Sequence, residues 1–263
     1  MRENRLKSMW QRGETALNGW LQIPSAWSAE LMAHQGWDSL TIDLQHGLIG
    51  YETALLQLQA ISTTEVVPLA RVPWNEPGII MKLLDAGAYG IICPMINNRA
   101  EAEAFVDACR YAPEGYRSVG PTRARVYGGG DYQTQANKTI ITMAMIETAE
   151  ALENVEAIVS VSGLDAIYIG PADLSLSLTG AVQVDYTEPD LLAVLDTILA
   201  VAQKHDVVAG IHTSSPEFAQ KMIDTGFQLV TVSSDSGLLR DAAEATVVKL
   251  KGTVKGQGEA SPY

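Results

Sequence analysis

The sequence predicts an α/β chain closed into a single eight-stranded (β/α)8 barrel. Three observations carry that reading. First, a helical stretch ends in Gly and is followed within a few residues by a short apolar run at four places: AHQGWDSLTID, LDAGAYGIICP, VSGLDAIYIG and DTGFQLVTV. A Gly just past a helix lets the chain turn left-handed, and the apolar run after it is a strand, so helices and strands alternate and the sheet is mostly parallel. Second, filling in between these joints yields eight strands alternating with eight helices. Third, 263 residues is the usual size of one such barrel. A doubly wound sheet is the alternative, but no GxGxxG follows the first strand.

In chain order, the strands are expected at Leu17–Ile23, Ser39–Leu44, Val66–Val72, Tyr89–Pro94, Thr139–Ile146, Ala166–Ile169, Val207–Ile211 and Leu229–Val232. The helices fit between them at Ser25–Gln35, Tyr51–Ser62, Glu76–Ala86, Arg99–Tyr111, Thr148–Val161, Glu188–His205, Pro216–Thr225 and Leu238–Leu250. The stretch Ala112–Lys138 breaks the rhythm. It holds Arg117, Arg123 and Arg125 beside Gly128, Gly129 and Gly130, and reads either as an anion clamp or closing loop, or as a solvated or subunit-contacting excursion. Residues 1–263 form one domain, with Gly252–Tyr263 a mobile, Gly- and Lys-rich tail.

Composition narrows the function classes. The formal net charge of −13 argues against nucleic acid or an anionic membrane as partner, because phosphate binding wants a basic face. It leaves room for a small anionic substrate held by one or two local arginines. No apolar run approaches the roughly 20 residues of a membrane span. The polar N-terminus MRENRLKSMWQRGET carries no secretory signal, so the expected setting is cytoplasmic. Cys93 and Cys109 form no CxxC or metal-type pair and are read as reduced thiols.

In a barrel, chemistry sits at the C-terminal ends of the strands. The second strand, SLTIDLQHG, ends in Asp43, Gln45 and His46. A carboxylate near an imidazole can fix its tautomer and raise its basicity, as a general base requires; the alternative is a capping Asp and a surface His. The third strand ends in Arg71, which could steady a developing enolate oxygen or keto group, or could form a structural salt bridge with Asp43 or Asp85. The fifth ends in Glu147 and the sixth in Gly170-Pro171-Ala172-Asp173. Adjacent strands lie about 4.8 Å apart, so Glu147 and Asp173 can converge on a hard divalent ion such as Mg²⁺ or Mn²⁺. Taken singly, each also reads as a residue that favours a helix N-terminus. Backbone N–H groups across Gly170–Asp173 could receive a carboxylate. The seventh strand ends in His212, which lines the aldehyde side of a pocket or only hydrogen-bonds locally. The eighth ends in Ser233, Ser234 and Asp235. Trp20, on the first strand, walls the pocket or packs in the core. None of the eight lysines ends a strand, which removes Schiff-base chemistry and leaves a metal to polarise any carbonyl.

With IDLQHG, PLARV, LLDAGAYGIICPM, MIET and GPADLS in place, the chain resembles the HpcH/HpaI aldolases over Leu17 to Leu250. These are metal-dependent pyruvate aldolases that include hydroxy-oxo-heptanedioate and dehydro-deoxy-glucarate aldolases. The resemblance implies cleavage of a 4-hydroxy-2-oxo acid to pyruvate and an aldehyde, with the reverse condensation. It implies His46 as base through a water, with Asp43 and Asp85 tuning it. Arg71 would stabilise the pyruvate enolate, Glu147 and Asp173 would bind Mg²⁺, Mn²⁺ or Co²⁺, and the amides near Ala172 and Asp173 would hold the substrate carboxylate. It also implies a homo-hexamer, a trimer of dimers whose last helix is exchanged between subunits. Asp85 enters only through the resemblance; on its own it reads as a helix C-terminal residue. Gln45 fits the family pattern before the histidine. Met145 replaces a Gln found in some members two residues before the metal Glu, and His212 stands where an apolar residue is expected; both point to an altered pocket. Two rivals are a carbon–carbon lyase acting on a CoA ester, supported only by the basic loop Arg117–Arg125, and a non-catalytic small-anion binder on the same scaffold.

Overall fold

The computed structural model describes residues 1–252. Eight parallel strands close on themselves in sequence order: β1 (Ala16–Leu21), β2 (Ser39–Asp43), β3 (Val67–Arg71), β4 (Gly90–Cys93), β5 (Ile141–Ile146), β6 (Ala166–Ile169), β7 (Val208–Thr213) and β8 (Leu229–Val232). The seam joins β1 to β8 with Ala16 opposite Leu229. Every strand is almost wholly buried, as expected of a parallel sheet covered by helices outside and filled by side chains inside. The expected tail falls largely on residues 253–263, outside the described residues.

The expected helices recur as α2 (Ala26–Ala33), α3 (Tyr51–Ile61), α4 (Pro77–Ala86), α5 (Arg99–Cys109), α11 (Pro189–Lys204), α12 (Pro216–Thr225) and α13 (Asp235–Lys251). The left-handed terminators hold at Gly87 (φ 106°), which ends α4, and at Gly226 (φ 117°), which ends α12. The expected helix over Thr148–Val161 is instead two short ones, α8 (Ala149–Glu153) and α9 (Val155–Val159), broken at Asn154. The Asn154 side chain donates to the Asn97 carbonyl (3.0 Å), a competing bond that favours a break over a continuous helix.

Three further departures stand out. The charged N-terminus forms α1 (Arg5–Gln11), which lies across the N-terminal end of the barrel. Trp10 donates to the Gln228 carbonyl (2.9 Å), and Asn4 donates to the carbonyls of Tyr89 and Thr139. The excursion Ala112–Lys138 contains two helices, α6 (Thr122–Gly128) and α7 (Tyr132–Thr139), so Thr139 closes a helix rather than opening β5. Finally, α10 (Pro171–Thr179) follows β6 at once, with Pro171 at its first position, where a missing N–H costs nothing.

The barrel interior is unusually hydroxylic. Asn18 on β1 accepts from Ser39 (2.8 Å) and Thr41 (3.1 Å) of β2 and donates to Thr231 of β8 (2.8 Å). This fully buried network spans three strands beneath the mouth, and its satisfied donors and acceptors offset the cost of burying them. Cys93 and Cys109 are buried free thiols. No helix among the described residues is long and apolar enough to cross a membrane.

Candidate active site

The C-terminal ends of the strands surround a cleft of about 460 Å³. Arg71, Glu147, Asp173, Trp20 and His212 line it, together with the Gly170–Ala172 backbone. The residues expected to carry chemistry at β1, β3, β5, β6 and β7 therefore face one space.

Arg71 lines it and is held by Asp43, which is fully buried and does not itself reach the cleft. They sit opposite each other in the β2–β3 register. Arg71 grips Asp43 with two hydrogen bonds, Nε to Oδ1 (2.9 Å) and Nη2 to Oδ2 (2.7 Å). Asp43 is fully buried and also accepts from Trp20 Nε1 (3.1 Å) and from the backbone N–H groups of Gln45 (3.0 Å) and His46 (3.3 Å). Burial pushes the Asp43 carboxyl up, but Arg71, Trp20 and the His46 amide more than offset it and hold it below the usual carboxylate range. With Nε and one Nη2 hydrogen committed, Nη1 and the remaining Nη2 hydrogen stay available to an oxyanion. The guanidinium also lies 4.8 Å from the Trp20 ring centre, and this contact fixes its plane. Of the two salt-bridge partners considered for Arg71, the structure selects Asp43.

Glu147 follows β5 and is 2% exposed. One of its oxygens accepts the Met95 N–H at 2.6 Å. Met95 adopts φ 54°, a left-handed value that few non-glycine residues take, and it aims that N–H past the end of β4. The other oxygen lies against Gly170, where an added Cβ would come within 2.6 Å of it, so glycine is required there. Burial pushes the Glu147 carboxyl up to about 7; the Met95 N–H pulls it down and the neighbouring Asp173 charge raises it further. A buried Glu147 that feels the charge of the half-buried Asp173 loses stability as its carboxyl ionises, and a hard divalent cation between the two would relieve that cost. No group of three or more His, Cys, Asp or Glu side chains able to hold a metal occurs among the described residues, so water and substrate oxygens would complete the coordination. Asp173 lies in the first turn of α10, where the opening N–H groups have no carbonyl of their own helix to bond.

His46 and Gln45 stand in the turn after β2, outside the residues that line the cleft. His46 is exposed, and the Gln45 side-chain oxygen is buried without a hydrogen-bond partner. Gly47 makes this turn possible, because a Cβ there would strike the Asp43 carbonyl. Asp85 ends α4 away from the cleft and pairs with Arg117 at 2.7 Å. Arg117 is 3% exposed, stacked over Tyr111 (4.5 Å) and Tyr132 (5.5 Å). Arg123 donates to the carbonyls of Ala86 and Leu58. These two arginines anchor the excursion to α3 and α4, and no residue of Ala112–Lys138 lines the cleft. Arg117 and Arg123 are thus spent on the fold rather than on an anion in the cleft, which takes away the loop's support for a CoA-ester substrate there.

Several lining residues went unremarked in the sequence. Tyr168 on β6, Asp185, Arg240 and Gln22 all face the cleft. Asp235, buried at the start of α13, accepts from the Gln22 N–H (2.8 Å) and the Ser28 hydroxyl (2.7 Å), tying α13 to the mouth. An inward-facing Tyr in AIYIG was the one visible signal; the others arrive from segments with no strand-end signature.

A parallel eightfold barrel with an arginine, two carboxylates and a helix N-terminus at one mouth is suited to chemistry in which negative charge develops beside a carbonyl. Residues 18–242 match the model of the HpcH/HpaI aldolase/citrate lyase family, and the chain belongs to that family. It is a carbon–carbon lyase of the aldolase type. It is 41% identical to a hydroxypyruvate/pyruvate aldolase of Rhizorhabdus wittichii, over 93% of this chain and 97% of that protein. It is 35% identical to a 4-hydroxy-2-oxo-heptane-1,7-dioate aldolase of Escherichia coli, over 94% and 95% of the two chains. The structure of an HpcH/HpaI aldolase/citrate lyase family protein from Burkholderia cenocepacia superposes with a TM-score of 0.88 at 30% identity, covering 94% of this chain and 99% of the other.

Proposed function

We propose that this aldolase cleaves 4-hydroxy-2-oxo acids to pyruvate, or a close 2-oxo acid, and an aldehyde, and runs the reverse condensation. The observation that carries the reading is the convergence of Arg71, Glu147, Asp173 and the α10 amides on one cleft. Glu147 and Asp173 would hold the divalent cation, Mg²⁺, Mn²⁺ or Co²⁺, which when bound polarises the 2-keto group. The amides of Ala172 and Asp173 receive the substrate carboxylate. In cleavage, His46 would take the 4-hydroxyl proton only through a bridging water, since it stands outside the cleft lining on the turn whose amide donates to Asp43. The C3–C4 bond breaks, its electron pair becomes the pyruvate enolate, and the aldehyde departs. Arg71 holds the enolate oxygen through the N–H groups that Asp43 leaves uncommitted, until the methylene carbon is protonated.

We further propose a cytoplasmic homo-hexamer assembled through α13. Of its 17 residues only Asp235 and Gly237 are buried, while Leu239 (64% exposed) and Leu250 (81% exposed) face outward. Such a helix gains its burial from a second copy of the chain. Light scattering of the intact protein checks the mass.

The activity is tested without knowing the aldehyde. Pyruvate is incubated with the enzyme in D₂O and methyl-proton exchange is followed by NMR. Exchange that needs Mn²⁺ or Mg²⁺, stops with EDTA and disappears in Arg71→Ala is the expected result. No exchange with any divalent ion, in a folded sample, removes the reading.

A further inference from the structure

The wall formed by β7, next to the strand that leads to Asp173, carries a chemical instruction of its own. His212, at the end of β7, has Nδ1 3.2 Å from the Tyr168 hydroxyl. The Tyr168 hydroxyl donates its only hydrogen to Thr231 Oγ1 at 2.7 Å. Its oxygen can therefore only accept from the imidazole, which places the proton of His212 on Nδ1. Nε2 is then a lone-pair acceptor, and it has no protein partner among the described residues. The ring is fixed edge-on to Trp20, with centroids 5.1 Å apart, and it lines the cleft. Burial, reinforced by the charge of Arg71, pushes the imidazole down to about 4, so it stays neutral at physiological pH.

The other polar groups of this wall are already engaged. Trp20 Nε1 donates to Asp43, and the Thr213 hydroxyl donates to the Thr231 carbonyl. Beyond His212 the cleft is lined by Ser214, Ser233, Asp185 and Asp241, with Arg240 donating to Asp241 at 2.9 Å. Asp185 accepts from the Ser214 N–H and from the hydroxyls of Ser214 and Ser215. Two carboxylates against one engaged guanidinium do not suit an aldehyde that bears a carboxylate. A neutral aldehyde rich in hydroxyls finds donors and acceptors throughout.

We propose that His212 is a specificity-determining residue that selects a 2-hydroxyaldehyde, its Nε2 accepting a hydrogen bond from the hydroxyl next to the aldehyde carbon. This inference rests on the aldolase reading above and names the aldehyde class that reading left open. A substrate lacking the hydroxyl leaves Nε2 buried against carbon, and the binding and transition-state energy of that hydrogen bond is lost.

The test compares pyruvate addition to glycolaldehyde and to acetaldehyde, which differ by that hydroxyl, using the Mn²⁺-loaded full-length enzyme. Wild type, His212→Phe and His212→Gln are measured, and each kcat/KM ratio is compared with that of wild type. The difference in intrinsic reactivity of the two aldehydes then cancels. The ratio is expected to fall about tenfold in His212→Phe, the worth of one hydrogen bond. His212→Gln, which keeps a neutral acceptor, is expected to recover part of it. Pyruvate methyl exchange on the same samples is expected to fall by less than the glycolaldehyde rate. A ratio unchanged in His212→Phe overturns the proposal. So does exchange that falls in step with the glycolaldehyde rate, since His212 then serves the enolate half. Absence of exchange in wild type overturns the aldolase reading itself, and is distinguishable because it needs no aldehyde.

Discussion

The two sides of the barrel mouth are built on opposite principles. The side formed by β2, β3, β5 and β6 is charged, buried and rigidly paired: Asp43 is 0% exposed, Glu147 2% and Arg71 7%. The side formed by β7, β8 and α13 is more open at the cleft surface, with hydroxyls, an uncharged imidazole, the half-buried Asp185 and the exposed Arg240–Asp241 pair. The first arrangement suits the part of a reaction where charge develops, because preorganised charges in a dry site need no reorganisation. The second suits recognition of a neutral, variable partner by hydrogen bonds. The difference teaches that one cleft can keep its charge-handling half invariant in design while the other half decides what it reacts with.

The sharpest way to break this contrast is Asp43→Asn. It leaves the Arg71 guanidinium buried without its counter-charge, which costs about 3–5 kcal/mol, and it lets the guanidinium leave its plane. Urea denaturation is expected to report that loss, and pyruvate exchange is expected to vanish. A stability change below about 1 kcal/mol would show that water reaches this pair and that the charged half is not dry. Next in size is Gly170→Ala, whose Cβ must displace a Glu147 oxygen. Exchange is expected to drop by about 100-fold, as a misplacement of about 1 Å can cost, while stability falls by about 1–3 kcal/mol.

A pH series sharpens the more open half. The folded His212 titrates near 4, below the ordinary value of 6.5, so the unfolded chain takes up this proton first. The stability this group contributes is complete above pH 6.5 and is lost as pH falls from 6.5 through 4. The imidazole is partly open to the cleft, which lowers the effect to about 2 kcal/mol. Denaturation at pH 7 and pH 4.5 is expected to show a smaller acid loss in His212→Gln than in wild type; equal losses would place a charged imidazole in the folded cleft. The smallest effect is expected from Arg240→Gln, an exposed pair worth less than about 0.5 kcal/mol. Its melting temperature is expected to stay within error of wild type, with a shift of several degrees marking Arg240 as part of the rigid half.

Much of the charged half was legible in the chain. Arg71, Glu147 and Asp173 each end a short apolar run, and strands of a parallel barrel all end at the same face, so linear position sufficed. The Asp43–Arg71 pair was open to view as one of two options because neighbouring strand ends lie side by side. The more open half was not legible in this way. Tyr168 and Thr231 act on His212 across 44 residues of chain and a further strand, and a hydroxyl's donor direction depends on its spatial neighbours. The Ala112–Lys138 arginines stayed open between two readings for the same reason: Arg117 in sequence is a cation near glycines, whereas in the fold it is spent on Asp85 between two tyrosines.

By itself the sequence determined the alternation of helix and strand, the closure into eight, and the short list of charged residues at the mouth. Periodicity and glycine terminators are local properties, and barrel closure turns strand ends into neighbours without further information. Only the tertiary structure decided how those charges are partnered, that Glu147 is buried within reach of the Asp173 charge, that α1 caps the barrel's far end, and that His212 is neutral with its acceptor turned to the cleft. Pairing, burial and protonation depend on which side chains meet across the barrel, and that is set by packing rather than by spacing along the chain.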